Sequence, residues 1–403
     1  MGIELTDEQK ELVRRLVDWY KKGDKLYFSF TGGAGTGKTT TVKAFIDELG
    51  ISRYRACAYV GKAVNMLARQ GLVATTIHSM IYNIAWVPKR ENGYVILNSK
   101  GKPTMTLEFI IKKKIEGNPQ LLIVDEATMV NDELCKDILS FQIPTVFLGD
   151  MNQLPPVFGI SSIMKNPDYR LTRIMRQAEG NPIIYLSQQI LKGIDLKPGD
   201  YGNSRVVRGY RIDPGSLQYD TIISGRNRTR DFVNWYVRKK LLDLPDKPQV
   251  GDKIICKQND WARSIKGNLY LTTGMCGKIT EINKSSWNDK YVLIDFQPDF
   301  VSDAEFTDLM LDTKYIGLDY EGRNKYGFSE YEKFEFAYAV TVHSMQGSQS
   351  PSVLYLDQWF HDADMVKKLR YTAITRAVDH ITYAQDYRIP YEYMDLFYND
   401  KVA

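Results

Sequence analysis

Gly32-Gly33-Ala34-Gly35-Thr36-Gly37-Lys38-Thr39 spells G-x-x-x-x-G-K-T, and it lies between a predicted strand and a predicted helix. Glycines at these positions let the backbone curl so that its N–H groups surround a phosphate chain at a helix N-terminus. Lys38 would reach the β- and γ-phosphates, and the Thr39 hydroxyl would take a Mg²⁺ position. Downstream, the apolar run Leu121-Leu122-Ile123-Val124 ends in Asp125-Glu126. A strand ending in two carboxylates would set Asp125 beside the Mg²⁺ and Glu126 where it can orient or deprotonate a water. Acidic pairs at strand ends are common and mean little singly. Behind a phosphate loop, the second carboxylate favours hydrolysis of ATP over phosphoryl transfer to a metabolite.

The composition limits what else the chain could be. It has 403 residues, enough for two or three domains at roughly 150 residues each. Its 53 basic and 49 acidic side chains leave a formal charge of only +4, so it is no polycation that binds nucleic acid by bulk charge. A local basic groove stays possible. The 26 tyrosines are numerous enough to supply stacking surfaces for flat ligands as well as core. Cys57, Cys135, Cys256 and Cys276 form no CxxC pair, which fits a reducing compartment and excludes a disulfide framework or zinc site. His78, His343, His361 and His380 are too scattered for a metal cluster. With no long apolar run and no leader pattern, the expected place is the cytoplasm, with no membrane contact.

These groups need elements to position them. A helix opening at Thr6-Asp7-Glu8-Gln9, strands at Lys25–Phe30 and Arg55–Val60, helices at Lys38–Leu49 and Lys62–Gln70, and the buried runs at Leu121–Val124 and Thr145–Leu148 alternate as in a parallel α/β sheet. Residues 1–175 read as one such domain. Within it, residues 82–105 carry an Asn92-Gly93 turn between apolar runs, the strongest short-range hairpin signal. A second α/β set follows, with strands at Thr221–Ser224, Phe336–Val340, Val353–Leu356 and Ile381–Ala384 and helices at Pro182–Leu191, Thr229–Leu242 and Asp364–Ala373. Residues 246–333 interrupt it with short β-like runs (Lys253–Cys256, Gly277–Ile282, Tyr291–Phe296), reading as a small all-β insert.

Taken in order, the motifs resemble those of superfamily 1B DNA helicases of the RecD/Dda type. Gln9 resembles the family's adenine-reading glutamine. Gly61-Lys62-Ala63 and Thr75-Thr76-Ile77-His78-Ser79 are similar to its DNA-contacting motifs. Asp125-Glu126-Ala127-Thr128-Met129 resembles its D-E-A-S-M, and Leu148-Gly149-Asp150-Met151-Asn152-Gln153-Leu154-Pro155-Pro156 its G-D-x-x-Q-L-P-P. Leu171-Thr172-Arg173-Ile174-Met175-Arg176-Gln177 resembles the segment whose arginine reaches the γ-phosphate. Thr341-Val342-His343-Ser344-Met345-Gln346-Gly347 looks like motif V, and Tyr371-Thr372-Ala373-Ile374-Thr375-Arg376-Ala377 like motif VI. One departure stands out: relatives often carry Lys where this chain has Ser344, which removes a probable phosphate contact.

The resemblance implies two RecA-like motor domains. The first would be residues 1–175, with the 82–105 hairpin as a strand-splitting pin that stacks Trp86 and Tyr94 on the fork. The second would be 176–245 and 334–403, with 246–333 as an SH3-like insertion. ATP would sit on Gln9, Gly33, Ala34, Gly35, Thr36, Gly37, Lys38, Thr39 and Thr40, with Mg²⁺ on Thr39 and Asp125. Lys38, Asp125, Glu126, Gln153, Arg176 and Arg376 would act on the phosphates, the two arginines as fingers. Lys62, Thr76, His78, Thr341, His343 and Gln346 would hold single-stranded DNA. The implied activity is ATP-driven 5′-to-3′ movement with duplex unwinding. Partners would be single-stranded DNA, DNA forks and replication or single-strand-binding proteins, in the host cytoplasm if the chain is phage-encoded. Two other readings exist: a DNA motor that strips proteins without separating strands, and a P-loop phosphotransferase, which would leave Arg376, Gln153 and the DNA motifs unexplained.

Overall fold

A capping box opens the ordered chain. Thr6 Oγ1 accepts from the Gln9 N–H, Gln9 Oε1 accepts from the Thr6 N–H, and helix α1 (Asp7–Lys22) runs from there to a left-handed Gly23. The computed structural model describes residues 4–91, 94–97, 101–155, 161–175, 180–266, 269–283, 291–316 and 333–398. It divides into two units. The first comprises the chain through Thr31, Lys38–Gly149 and the stretch ending at Leu171; the second comprises Gly32–Gly37, Asp150–Pro155 and everything from Thr172 on.

In the first unit, β1 (Tyr27–Gly32), α2 (Lys38–Leu49), β2 (Tyr54–Ala58), α3 (Gly61–Arg69), β3 (Ala74–Thr76) and the short helix α4 (Ile77–Ile81) follow in order. Then come β4 (Tyr82–Pro88), β5 (Arg90–Glu91), β6 (Tyr94–Val95), β7 (Met105–Ile111), β8 (Leu121–Asp125), α5 (Asp132–Leu139), β9 (Thr145–Gly149), α6 (Ser162–Lys165) and β10 (Tyr169–Leu171). One sheet has the order β10-β1-β9-β8-β2-β3, with β1/β9, β9/β8, β8/β2 and β2/β3 all parallel. Its central strands are buried along their length because helices cover a parallel sheet on both faces. Register aligns the carboxyl ends: Thr31 pairs with Gly149 and Ala58 with Asp125. The P-loop and the two carboxylates therefore leave the same edge, where open α/β sheets bind ligands.

The hairpin is longer than its turn signal implied. β4 and β7 pair antiparallel from Tyr82↔Ile111 to Pro88↔Met105, so the arms reach past residue 105, while β5/β6 form a separate pair near the tip. The Asn92-Gly93 turn lies outside the described residues. Lys112 Nζ donates to Ser79 O, and Tyr82 Oη hydrogen-bonds Asp137, which ties the base of the hairpin to the helical layer.

In the second unit, α7 (Pro182–Leu191), β11 (Gly199–Tyr201), β12 (Ser204–Arg208), β13 (Thr221–Ser224) and α8 (Asn227–Tyr236) come first. β14 (Lys253–Cys256), β15 (Asp260–Ile265), β16 (Leu269–Leu271), β17 (Cys276–Asn283), β18 (Tyr291–Pro298) and β19 (Phe306–Asp312) follow. β20 (Phe334–Phe336), β21 (Ala339–Thr341), β22 (Ser350–Leu356), α9 (Ala363–Ile374) and β23 (Ala377–Gln385) then follow, with short helical turns at Thr313–Ile316 and Met394–Tyr398. A sheet of order β11-β12-β23-β22-β13-β21 is parallel except at its β11/β12 edge. A second sheet, β19-β18-β17-β14-β20, is antiparallel and encloses its own core around Phe296, Phe306 and Phe334.

The strand expected at Phe336–Val340 is two strands in two sheets: β20 pairs with β14 in the antiparallel sheet and β21 with β13 in the parallel one. Asn234 enforces the break. Its Nδ2 donates to both Phe336 O and Ala339 O, and its Oδ1 accepts from the Ala339 N–H, satisfying the backbone groups that the bend frees. Likewise the helix expected to reach Leu242 is α-helical to Tyr236 and then widens into a π-turn over Val237–Leu241.

Candidate functional site

In the first unit, α2 begins at Lys38, so Lys38, Thr39 and Thr40 occupy its first turn. At the end of β8, Asp125 Oδ1 accepts from the Glu126 N–H at 2.8 Å. Glu126 has φ +50°, a left-handed conformation that costs a non-glycine residue roughly 1–2 kcal/mol. That twist ends the strand and opens the 3-10 turn Ala127–Met129. Strain of this kind concentrates at working sites. Burial and the adjacent Glu126 carboxylate push the Asp125 carboxyl up to about 6, against the opposing pull of the Lys38 ammonium. The Asp125 carboxylate is thus under-neutralised by the protein. Asp125 and Glu126, and the Thr39 hydroxyl in the first turn of α2, are hard oxygen donors, so the chemistry of these residues fits Mg²⁺. Gly149 leaves β9 against Thr128, where an added Cβ would come within 3.0 Å of the Thr128 methyl group.

In the second unit, the Gly32–Gly37 segment is a tight turn. Gly35 and Gly37 have φ near +77° and +76°, which explains glycine at both. Thr36 Oγ1 donates to Gly33 O at 2.9 Å. The Tyr371 hydroxyl accepts from the Ala34 N–H at 2.7 Å and donates to Asp150 Oδ2 at 2.6 Å. The same Asp150 takes the Asn152 N–H on its other oxygen. Leu154, one residue past Gln153, is clasped on both backbone groups: its N–H donates to Thr372 Oγ1 and its carbonyl accepts from Gln346 Nε2. Gln153 itself is buried. Met175 N–H donates to Gly35 O, so the residue before Arg176 rests on the loop; Arg176 lies outside the described residues.

Arg376 is buried, and each nitrogen of its guanidinium has a partner: Nε donates to Thr372 O, Nη1 to Ser348 O and Nη2 to Thr375 Oγ1. Its charge acts on Tyr371, partly offsetting the burial and the Asp150 carboxylate that hold that phenol well above its usual range.

The expected DNA contacts differ in setting. Lys62 is in the first turn of α3. Thr76 caps α4, accepting the Ser79 N–H and donating to Ser79 Oγ. His78 is half-buried among Tyr59, Tyr82 and Phe109, with ring centroids 5.4–5.8 Å away, and burial depresses its pKa toward the neutral ring. In the second unit Thr341 is buried and shares its hydroxyl with Ser344, His343 is exposed, and Gln346 is buried on Leu154 O. Trp86 and Tyr94, on the hairpin, are 57% and 80% exposed. Gln9 is buried, and its Oε1 is committed to the helix cap.

Tyr371 and Thr372 carry contacts that sequence reasoning missed. Both stand inside the quoted motif VI string, but a tyrosine at helical spacing beside Leu369 and Ile374 reads as core. No group of three or more metal-ligating side chains occurs among the described residues, and no described helix is long and apolar enough to cross a membrane.

Known proteins resemble this chain over most of its length. Residues 4–199 match the model of an AAA domain, and residues 336–382 that of a UvrD-like helicase C-terminal domain. The ATP-dependent RecD2 DNA helicase of Deinococcus radiodurans is 27% identical over 93% of this chain, which spans about half (48%) of that relative's length. The ATP-dependent DNA helicase dda of Enterobacteria phage T4 is 25% identical over 70% of this chain and 69% of its own. Among solved structures, one of two coordinating Pif1 helicases at forked DNA covers 98% of this chain and 96% of that one, with TM-score 0.53 and 17% identity. A Bacteroides Pif1 bound to single-stranded DNA covers 98% and 96%, with TM-score 0.50 and 16% identity. The structural likenesses establish the fold.

Proposed function

We propose, for a chain that belongs to the superfamily 1B helicases of the RecD/Dda type, that ATP hydrolysis drives it 5′ to 3′ along single-stranded DNA and opens duplexes in its path. The observation that carries this reading is geometric: the Tyr371 hydroxyl, in the segment that ends at Arg376, holds both the Ala34 amide of the P-loop and the Asp150 carboxylate ahead of Gln153. A small-molecule phosphotransferase would leave Gln153 and the DNA motifs unexplained.

The residues divide the chemistry among them. The N–H groups of Gly33–Thr40 and the Lys38 ammonium would bind the phosphate chain, and Gln9 the adenine, through the part of its amide not used by the cap. Glu126 would orient a water for attack on the γ-phosphate and take its proton; the bond to the β-phosphate breaks and ADP leaves with the bridging oxygen. Thr39 and Asp125 would hold Mg²⁺, which when bound would neutralise charge on the phosphates. Gln153 would sense the γ-phosphate. Arg376 and Arg176 would stabilise charge developing there, Arg376 after giving up one carbonyl partner. Lys62, Thr76, His78, Thr341 and His343 would line the DNA path, with Gln346 behind them.

Residues 82–111 would act as the pin, with Trp86 and Tyr94 meeting the fork, and the antiparallel sheet of residues 253–336 would be the SH3-like insertion. Residues 1–175 and 176–403, apart from that insertion, would be the two motor domains. Steady-state ATPase with and without oligothymidylate tests the core of this reading. Turnover should rise at least tenfold with single-stranded DNA and vanish in Lys38→Ala. Turnover indifferent to DNA, or a phosphorylated small-molecule product, would overturn it. Forks with a 5′ or a 3′ tail test direction.

A further inference from the structure

Beyond the expected contacts, the carboxyl edge of the second parallel sheet carries an aromatic platform. β21 ends at Thr341, two residues before His343; β13 ends one residue before Gly225-Arg226; and β22 ends at Leu356, followed by Asp357-Gln358-Trp359-Phe360-His361. These strands are neighbours in the order β22-β13-β21, so the three ends form a row about 10 Å long at strand spacing.

The platform is held from beneath while its ring stays open. Arg226 Nη2 donates to Trp359 O at 2.6 Å, and its guanidinium lies 4.7 Å over the Phe360 ring. Phe360 packs so closely on Gly225 that an added Cβ there would fall 2.7 Å from the ring. The His361 ring meets Trp359 edge-on at 4.2 Å. Trp359 is nevertheless 64% exposed. A fixed main chain beneath an open indole loses little entropy when a flat group stacks on it.

Beside it opens a cavity of about 620 Å³, walled by the end of α7 and the start of α9, with Arg208, Asp357 and Gln385 at the strand ends. Asp357 is buried and paired with Arg370 at 2.9 Å. Asp195, Asp364 and Asp386 also line the cavity. Against the four aspartates stand Arg208, Lys367 and Arg370, so the lining is close to charge balance and the fitting occupant is uncharged and polar-edged. A nucleobase is such a group. Its phosphates would stay outside, along Arg226 toward His343.

We propose that Trp359 is a base-stacking site that extends the DNA track past His343 and Arg226, seating one base of the single strand in the neighbouring cavity. This rests on the reading of Thr341 and His343 as DNA contacts, and the test separates the two. Anisotropy of labelled oligothymidylates, one just long enough to cover the Thr341–His343 site and one several nucleotides longer, is compared for wild type, Trp359→Ala, Trp359→Phe and His343→Ala across a salt series. For the longer oligomer, Trp359→Ala should bind about tenfold more weakly, the loss of roughly one stacked base, and Trp359→Phe within about threefold of wild type. The salt slope should be unchanged because no phosphate contact is lost, and the shorter oligomer should bind Trp359→Ala like wild type. His343→Ala should weaken both oligomers. If Trp359→Ala matches wild type at both lengths, the stacking site is wrong while the motor reading stands. If wild type binds neither, the motor reading itself fails.

Discussion

The Tyr371 hydroxyl lies 2.7 Å from the Ala34 amide nitrogen of the P-loop and 2.6 Å from Asp150 Oδ2, so one buried phenol joins the phosphate cradle to the loop that carries Gln153. Asp150 is buried and the Ala34 amide partly so, and a buried acceptor left without its partner costs roughly 1–3 kcal/mol. Tyr371→Phe keeps the packing and removes both bonds. It should lower the melting temperature by a few degrees and raise the KM for ATP about three- to tenfold, with a smaller effect on kcat, because the cradle is less pre-organised. Calorimetry and steady-state ATPase check this; an unchanged KM and melting temperature would make the contact incidental.

Asp125 yields a pH prediction whose sign is fixed by its raised pKa of about 6. The folded state binds this proton more tightly than the unfolded chain, whose aspartates titrate near 3.9. Folding is therefore penalised at neutral pH, and the penalty fades as pH falls from about 6 to about 4. Asp125→Asn should raise the melting temperature at pH 7.5 by roughly 2–5 °C, and the gain should shrink across that window. ATPase should disappear in the same variant. If Asp125 holds Mg²⁺ as proposed, wild-type Mg²⁺ affinity should drop as pH falls through 6 and the carboxylate is protonated; titration calorimetry at pH 5.5 and 7.5 reads it.

The parallel sheets, the P-loop and the Asp125-Glu126 strand end were legible in the sequence because each is a local signal: a short apolar run, a glycine pattern, a strand-to-helix junction. The split at residues 336–339 was not, because Asn234, about a hundred residues earlier, supplies the hydrogen bonds that make the bend affordable. β12 was also unforeseen. Ser204–Arg208 sets two adjacent valines between two arginines and looks like a surface segment, yet it pairs with β23 and buries Val206. Tyr371 was hidden for the opposite reason: its position looked like core, and it is core, but its hydroxyl finds partners brought close only by tertiary structure.

The antiparallel insertion hangs on one buried ion pair. Arg238 and Asp252 are both fully buried and bonded twice, Nε to Oδ1 and Nη2 to Oδ2, each at 3.0 Å. Tyr338 Oη also donates to Asp252, and the Phe336 ring lies 3.8 Å from the guanidinium carbon. Removing one partner leaves a buried charge unpaired, which costs about 3–5 kcal/mol. Asp252→Ala should therefore unfold at markedly lower denaturant concentration, whereas the double change Arg238→Met with Asp252→Leu should recover most of the loss. Equal damage in the single and double variants would assign the effect to lost packing instead.

Gln346 stands where the family resemblance implies a DNA contact, yet its amide is buried and donates to Leu154 O at 2.6 Å, while Thr372 Oγ1 accepts from the Leu154 N–H at 2.8 Å. Two side chains from different elements thus fix the backbone of the residue next to Gln153. If this clasp is what Gln346 provides, Gln346→Ala should leave the affinity for single-stranded DNA within about twofold of wild type, since no phosphate or base contact is removed. It should cut the DNA-stimulated ATPase several-fold, because the loop of Gln153, proposed to meet the γ-phosphate within hydrogen-bond reach, is less well held. Thr372→Val, nearly isosteric, should act the same way, and the double variant should be less than additive because both changes release one residue. A loss of DNA affinity in Gln346→Ala, unaccompanied by any effect of Thr372→Val, would return Gln346 to the DNA track.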